Sequence, residues 1–199
     1  MRSNGCTRPD LSWPRRPRLS GSRPDLMRSW LPAASDIAGP VVDGVALRVI
    51  DPDDPAVVTG RAVASVSFAH GGTAVGGDGP ERRNEAALHQ PPALIAHLRE
   101  RVRRGRTVTA VAETDEGVIA TGSYRPVDGR AELLAVATLP SARRRGVGGV
   151  LTAFLAQHAI ANGVDQVLLS AQDEDVARVY ERVGFRRVGS TGAAEQSDS

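Results

Sequence analysis

Hydrophobic and polar positions follow two different periods from Val41 onward. Alternation at every second residue, with acidic–glycine turns between the runs, predicts three consecutive antiparallel strands over 107–113, 118–125 and 131–138. Spacings of three and four residues predict helices over 55–68, 92–104, 147–162 and 173–183. Short apolar or alternating runs predict further strands at 41–50, 166–170 and 185–188. The chain is therefore expected to form a mixed α+β fold, with a glycine-rich loop over 69–90.

The first 40 residues have a different composition. They hold six prolines and six serines, with scattered arginines and no apolar period. Each proline removes a backbone donor and restricts the residue before it, which breaks regular structure. We expect a disordered tail over 1–40, one domain over 41–190 and a disordered C-terminus over 191–199. A tail that contacts nucleic acid or an acidic partner is the alternative interpretation.

Residue usage excludes several classes of chemistry. All 25 basic residues are arginines, so the chain lacks the lysine of a Walker A loop or a Schiff base. The single cysteine, Cys6, excludes an internal disulfide framework and a zinc site built from several thiolates. No apolar run approaches the roughly 18 residues of a membrane span, and no apolar stretch follows Arg15 and Arg16 as in an export signal. We expect a soluble, cytoplasmic protein without a membrane partner, and the all-arginine usage hints at a GC-rich bacterial genome.

Charge does not favour nucleic acid as a partner. The formal net charge is +2, and residues 1–40 contribute seven arginines against three aspartates. The remainder of the chain is therefore near neutral or slightly acidic. Aromatic residues that could stack on bases make up only 4% of the chain.

The most informative segment runs from Leu139 to Leu151, where a strand ends, three arginines and three glycines follow, and a helix begins. The first-turn amides of a helix lack intrahelical partners, and the helix dipole adds partial positive charge. Gly146, Gly148 and Gly149 have no side chain to keep an anion away from those amides. The segment predicts a cradle for phosphate or pyrophosphate. A dinucleotide-binding fingerprint would need a further glycine where Leu151 stands.

This segment resembles the GNAT superfamily of acyl-CoA-dependent N-acetyltransferases. The family's pyrophosphate motif, Q/R-x-x-G-x-G/A, is matched by Arg143, Gly146 and Gly148. A strand precedes the motif, an amphipathic helix follows it, and VYERVGF at 179–185 is similar to the family's Tyr-x-x-x-Gly-Phe ending. The resemblance is close over 107–188 and only architectural over 41–106. It implies a GNAT-like three-layer fold, with a central, mostly antiparallel twisted sheet and helices on both faces.

The resemblance also implies acetyl-CoA as co-substrate, with no metal. In the family, pantetheine lies in the gap between two splayed strands, which here implicates Val136, Ala137 and Thr138. The residues expected around the pyrophosphate are Arg143, Arg144, Arg145, Gly146, Val147, Gly148 and Gly149. A solvated turn is the alternative interpretation of the three arginines. Asp173 stands where many relatives have a cofactor-contacting asparagine, and we favour a helix cap over a cofactor contact for it.

Two catalytic residues are implied by the same resemblance. Tyr180 matches the tyrosine that protonates the departing CoA thiolate in many members, although it also lies on the apolar stripe of its helix. Glu132 falls where some members carry a glutamate base, and its apolar neighbours would desolvate it; an exposed position on the strand is the alternative. Weaker candidates for the base are Glu113, Tyr124 and His158, the last lying on the core stripe of its helix.

The expected function is N-acetyl transfer from acetyl-CoA to a primary amine of a small molecule or peptide, by direct attack in a ternary complex. No sequence signature of a nucleophile or metalloprotease competes with it. The alternative is a non-catalytic acyl-CoA-binding or regulatory module. The acceptor has no motif of its own, although Glu81 and Glu85 could favour a cationic amine. Oligomeric state stays open, with a homodimer as one option because dimers are common in the family.

Overall fold

A computed structural model describes residues 26–32, 37 and 41–192 of the chain. Within this part, seven strands form one sheet: β1 (Leu26–Pro32), β2 (Ala46–Val49), β3 (Val108–Thr114), β4 (Gly117–Val127), β5 (Arg130–Thr138), β6 (Gln166–Ala171) and β7 (Phe185–Gly192). Five α-helices accompany them: α1 (Ala56–Ala69), α2 (Pro80–Leu88), α3 (Pro92–Arg103), α4 (Val147–Ala161) and α5 (Glu174–Val183). The mixed α+β fold class is confirmed.

The sheet has the strand order β2-β3-β4-β5-β6-β1-β7. Every neighbouring pair is antiparallel except β5 and β6, which run parallel. The predicted meander of three antiparallel strands is β3-β4-β5, joined by the two tight turns seen in the sequence. α4 makes the crossover between β5 and β6, as a parallel pair requires.

Helices cover both faces of the sheet, so the predicted three-layer arrangement is confirmed. A Cβ placed on Gly60 of α1 would lie 3.0 Å from Oγ1 of Thr121, whereas one on Gly122 would lie 2.8 Å from Cδ1 of Leu155 in α4. Because consecutive strand residues point to opposite faces, α1 and α4 lie on opposite sides of β4. Apolar side chains from both layers form the core, among them Val63, Val111, Leu139, Leu151 and Leu155.

The structure corrects the predicted disordered tail over residues 26–32. This segment forms β1, which pairs with β6 on one side and with β7 on the other. Prolines 24 and 32 bracket the strand, so its interior keeps all its backbone donors, which the average composition of 1–40 concealed. The other parts of the predicted tail lie outside the described residues, apart from Ile37. At the C-terminus, β7 extends to Gly192, two residues into the segment predicted to be disordered.

The segment 69–90 contains α2, which periodicity did not predict. Its sequence, PERRNEAAL, has no apolar stripe, and the helix is held to the sheet by a buried cation instead. The Arg83 guanidinium donates to the carbonyl of Val118 at 2.6 Å and to that of Glu116 at 2.9 Å. These bonds fasten α2 to the hairpin between β3 and β4. Burial lowers the pKa of Arg83, but an arginine remains charged.

Candidate active site

β5 and β6 separate part-way along their length. Their parallel pairing ends at Leu133 and Leu169, yet β5 continues along β4 to Thr138. The pairing of β5 with β4 shifts where Ala135, at φ +54°, adds an extra residue to β5. Such a bulge bends the strand that carries it. Residues 134–138 consequently border a gap on the side where β6 would otherwise pair with them.

The chain leaves this gap through a tight loop that opens α4. Pro140–Ala142 form one 3-10 turn, and Arg144 and Gly146 then adopt left-handed conformations at φ +64° and +85°. Gly146 is the N-cap of α4 and supplies no capping side chain, so the first-turn amides keep their donors for another acceptor. Gly148 lies against β5, where a Cβ would be 3.4 Å from Oγ1 of Thr138. The predicted cradle has the backbone geometry of an anion site.

The gap and the loop form one cleft of about 720 Å³, a volume typical of small-molecule sites. It is bounded by the end of α1 and the loop after it, by β5, by the 142–149 loop, and by β6 and α5. The lining residues are Ser67, Phe68, Gly71, Gly72, Thr73, Leu133, Leu134, Ala135, Val136, Ala137, Thr138, Ala142, Arg143, Arg144, Gly146, Val147, Gly148, Gly149, Ser170, Gln172, Val176, Val179, Tyr180, Arg182 and Val183.

The charge of the cleft has one sign. Its ionisable cations are Arg143, Arg144 and Arg182, and no acidic side chain is among the described residues that line it. Arg144 is exposed at the loop, next to the first turn of α4. A cleft lined by cations and helix amides attracts anionic ligands.

Tyr180 places a buried hydroxyl in this cleft. The side chain is only 8% exposed, and its ring packs against Phe185 with the ring centroids 6.2 Å apart. Burial, helped by the negative charge of Asp173, raises the pKa of Tyr180 to about 12. In the described part of the chain, no residue forms a hydrogen bond with this hydroxyl. A buried donor of this kind is costly to leave unpaired, so it suits a ligand that supplies an acceptor.

A model of the acetyltransferase (GNAT) family matches residues 78–185, more than half of the chain. The chain belongs to this family. The matched region includes α2, the β3-β4-β5 meander, the anion loop and Tyr180, and it ends at Phe185.

Solved structures show the same fold. The GNAT chain is similar to a GCN5-related N-acetyltransferase from Kribbella flavida, at 23% identity and a TM-score of 0.55 over 83% of this chain and 55% of that one. A GCN5-related N-acetyltransferase from Sphaerobacter thermophilus matches at 18% identity and 0.52, over 84% and 50%. A Trypanosoma brucei acetyltransferase matches at 20% and 0.51, over 78% and 97%. The chain thus spans about half the length of the first two proteins. No curated protein matches it.

Most of the predicted cofactor residues of this GNAT chain line the cleft. Those that do are Val136, Ala137, Thr138, Arg143, Arg144, Gly146, Val147, Gly148 and Gly149. Arg145 instead lines a second cavity of about 440 Å³, beside α2 and the 3-10 turn. Asp173 is absent from the lining, and its carboxylate accepts the Val176 N–H at 2.8 Å, which confirms the helix cap.

Arg143 lines the cleft but uses its guanidinium elsewhere. The group donates to backbone carbonyls of Thr138 and of the segment that follows α1. Burial lowers its pKa, again without removing the charge. The first residue of the matched motif is therefore bonded to protein atoms, not directed at the anion loop.

Glu132 is exposed, so the predicted desolvation by apolar neighbours is wrong. It lies opposite Arg125 of β4 and outside the lining of the cleft. Thr121 of β4 faces α1, and Arg125, four residues further along β4, points to the same face of the sheet. Glu132, which is paired with Arg125, therefore points to that face as well. Leu134, two residues further along the same face, does line the cleft. Glu132 therefore lies outside the cleft, two residues along β5 from Leu134 and on the same face of the sheet.

The other candidates for the base have partners away from the cleft. Glu113 accepts two bonds from the Arg48 guanidinium, each of 2.9 Å. The Tyr124 hydroxyl lies 3.0 Å from Nδ1 of His158, between β4 and α4, and burial raises the pKa of this tyrosine. Glu81 lines the second cavity, and Glu85 pairs with Arg82, so neither supports the expected preference for a cationic amine.

Several lining residues had no signal in the sequence. Phe68, Gly71, Gly72 and Thr73 reach the cleft because the end of α1 lies across the end of β5, a contact between distant parts of the chain. Arg182 lies on α5, as Tyr180 does, but no sequence motif predicts that it lines the same cleft. Among the described residues, no group of three or more histidine, cysteine or acidic side chains could hold a metal ion. Likewise, no described helix is long and apolar enough to cross a membrane.

Proposed function

We propose that the protein is an N-acetyltransferase that moves the acetyl group of acetyl-CoA to a primary amine by direct attack in a ternary complex. The observation that carries the proposal is one cleft that contains the splayed β5 edge, the anion loop and Tyr180, whose hydroxyl has no partner among the described residues. A ligand with an amide-bearing arm, a pyrophosphate and a sulfur atom would complement the β5 edge, the anion loop and the Tyr180 hydroxyl respectively.

The residues present fit acetyl-CoA. Gly146 and Gly148 leave the first-turn amides of α4 open to a pyrophosphate, and Arg144 adds a cation beside them. The β5 backbone from Leu134 to Thr138 borders the gap and would pair with the amides of pantetheine. When bound, acetyl-CoA supplies the thioester carbonyl carbon that the amine attacks and the thiolate that leaves.

The Tyr180 hydroxyl would stabilise the leaving sulfur. With a pKa of about 12 the phenol stays protonated at neutral pH, so its O–H is ready to donate. An exposed thiol has a pKa of about 8.5, which makes complete proton transfer from Tyr180 uphill in water. Burial in the same cleft would raise the pKa of the thiol as well and narrow this difference. Tyr180 thus acts first as a hydrogen-bond donor to the developing thiolate.

Glu132 would accept the proton that the amine loses. The residue is open to solvent and lies outside the cleft lining, two residues along β5 from Leu134, which does line the cleft. This position favours proton transfer through a water molecule over direct contact with the amine. The amine nitrogen would form a bond to the acetyl carbon as the C–S bond breaks. One proton would leave the nitrogen through water to Glu132, and one proton would reach the sulfur through the Tyr180 hydroxyl or from solvent, so that no net proton is gained or lost.

The test is thiol release from acetyl-CoA by the full chain in the presence of a panel of primary amines and peptides. We expect release that depends on one class of amine, with the N-acetylated product identified by mass. Release that is independent of every amine in the panel would contradict a ternary-complex transferase.

The second candidate function is a non-catalytic acyl-CoA-binding module. The exposure of Glu132 outside the cleft lining favours it, because a base that touches no part of the cleft is weakly placed. Acetyl-CoA binding without thiol release on any amine would support the module, whereas amine-dependent release would exclude it.

A further inference from the structure

Every donor of the Arg143 guanidinium has a protein acceptor. Nε donates to the Thr138 carbonyl at 3.3 Å, and Nη1 donates to the carbonyls of His70 at 3.0 Å and Ala74 at 3.1 Å. Nη2 donates to the carbonyl of Ser67 at 2.8 Å and to its Oγ at 3.2 Å. A guanidinium has five N–H groups, so none is left over for a phosphate.

Apart from the Thr138 carbonyl, these acceptors belong to one segment, residues 67–74, which ends α1 and begins the glycine-rich loop. Five of its members, Ser67, Phe68, Gly71, Gly72 and Thr73, line the cleft. Carbonyls at the end of a helix have no intrahelical partner, and glycines lose much conformational freedom on ordering. The segment therefore needs outside bonds to keep one shape, and Arg143 supplies most of them.

Two further contacts hold the loop, one at His70 within segment 67–74 and one at Gly76 beyond it. Nε2 of His70 lies 3.2 Å from the Asp78 carboxylate, and the Gly76 N–H donates to the Pro140 carbonyl at 3.2 Å. Between these anchors, Arg143 is the one side chain among the described residues that donates to the carbonyls of Gly71 and Ala74. Loss of its guanidinium would release the part of the segment that faces the cleft.

We propose that Arg143 is a positioning residue that builds the acceptor wall, defined as segment 67–74, and does not bind the phosphates. The wall extends from α1, on the sheet face that carries Glu132, whereas the cofactor is expected in the β5–β6 gap and at the anion loop. Arg143, the residue that begins the anion loop, thereby holds the acceptor wall in one shape. That the wall contacts the acceptor rests on the proposed function. The bonds by which Arg143 holds the wall do not depend on it.

Hydrogen exchange of the full chain, together with calorimetric titration with acetyl-CoA, tests this role. In R143Q and R143K we expect peptides that cover 67–76 to exchange at least about tenfold faster than in wild type. The affinity for acetyl-CoA should change by less than about threefold, because no phosphate contact is lost. R143K keeps the charge but not the five-donor geometry, so it separates charge from positioning.

Arg144→Gln is the matched control, since it removes the neighbouring cation that has no described partner. We expect it to weaken acetyl-CoA binding about tenfold and to leave exchange over 67–76 unchanged. Should R143Q fail to fold, R143K and Ser67→Ala provide the same comparison. Ser67→Ala should give a smaller rise in exchange, because it removes the hydroxyl that accepts from Arg143 and donates to Thr138 but leaves the carbonyl acceptors in place.

The opposite pattern would overturn the inference. If R143Q and R143K keep wild-type exchange over 67–76, Arg143 does not hold the wall. If R143Q binds acetyl-CoA as weakly as R144Q does, Arg143 is a phosphate ligand. Failure of the proposed function gives a different result, because wild type would then bind no acetyl-CoA while R143Q still exchanged faster in the absence of ligand.

Discussion

At the scale of single residues, Tyr180 combines burial, a raised pKa and a place in the lining of the cleft. Its hydroxyl is buried in the cleft with no described partner, so its removal should cost the fold little and the reaction much. We predict that Tyr180→Phe lowers kcat for thiol release by about 10²-fold, the usual contribution of one proton-transfer group. The Kd for acetyl-CoA should stay within about threefold of wild type. An unchanged kcat would remove Tyr180 from the chemistry.

The same burial predicts a pH dependence of stability. Below about pH 10, Tyr180 is protonated in both the folded and the unfolded state. As pH rises further the unfolded state ionises first, because the folded pKa is about 12. Stability is therefore lost between about pH 10 and 12, by roughly 2–3 kcal/mol in total. Urea unfolding at pH 9 and pH 11 measures this loss. Between these two pH values, the free energy of unfolding should fall by about 1 kcal/mol less in Tyr180→Phe than in wild type.

Tyr124→Phe provides the contrast, because its hydroxyl is bonded to His158. We expect that variant to cost about 1 kcal/mol already at pH 7, whereas Tyr180→Phe should cost close to nothing there. Equal costs at pH 7 would show that the Tyr180 hydroxyl is paired in solution.

Glu132 gives the second prediction on catalysis. Glu132→Gln keeps the size of the side chain but removes the base, so kcat should fall by about 10²-fold at pH 7. Glu113→Gln is the control, since Glu113 is an acid of the same sheet that pairs with Arg48. It should lower stability slightly and leave kcat unchanged. Wild-type turnover in Glu132→Gln would transfer the role of base to another group or to water.

At the scale of elements, α2 shows what local patterns do not reveal. The helix is held by a buried arginine, and Arg83→Met would leave the carbonyls of Glu116 and Val118 without their donor. We predict a loss of about 2–4 kcal/mol in the free energy of unfolding, measured with urea. Arg82→Met removes only an exposed pair with Glu85 and should cost less than about 0.5 kcal/mol. Similar costs for the two variants would contradict the anchoring role of Arg83.

Elements with a strong apolar period were predictable, and those without one were not. α1, α3, α4 and α5 and the strands from β2 to β7 follow the residue pattern because each contributes apolar side chains to the core at regular spacings. β1 was missed because the composition of the first 40 residues outweighed the seven-residue interval between prolines 24 and 32. α2 was missed because hydrogen bonds from Arg83, not a stripe of apolar side chains, hold it.

At the scale of the whole molecule, the anion loop was predictable and the cleft around it was not. The loop is continuous in sequence, so the glycines and the start of α4 revealed it locally. The splay of β5 from β6, the arrival of segment 67–74 and the position of Glu132 depend on contacts between residues far apart in the chain. Arg143 and Arg144 line the cleft, whereas Arg145 lines the second cavity. This separation depends on the left-handed backbone of Arg144 and Gly146, which a run of three arginines does not reveal.

We expect the 143–149 loop to bind the pyrophosphate of acetyl-CoA, and calorimetric titration with acetyl-CoA measures this binding. Gly146→Glu would place a side chain and a negative charge at the mouth of the cradle. Gly163→Glu is the matched control, because Gly163 also has a positive φ, +83°, but lies beyond the other end of α4 with no atom near its Cβ position.

We predict micromolar binding by wild type and by Gly163→Glu, and binding at least about 100-fold weaker by Gly146→Glu. Backbone strain alone would affect both glycine variants, so the difference between them reports the cradle. No binding of acetyl-CoA by the folded wild-type protein, or equal binding by both variants, would contradict the claim.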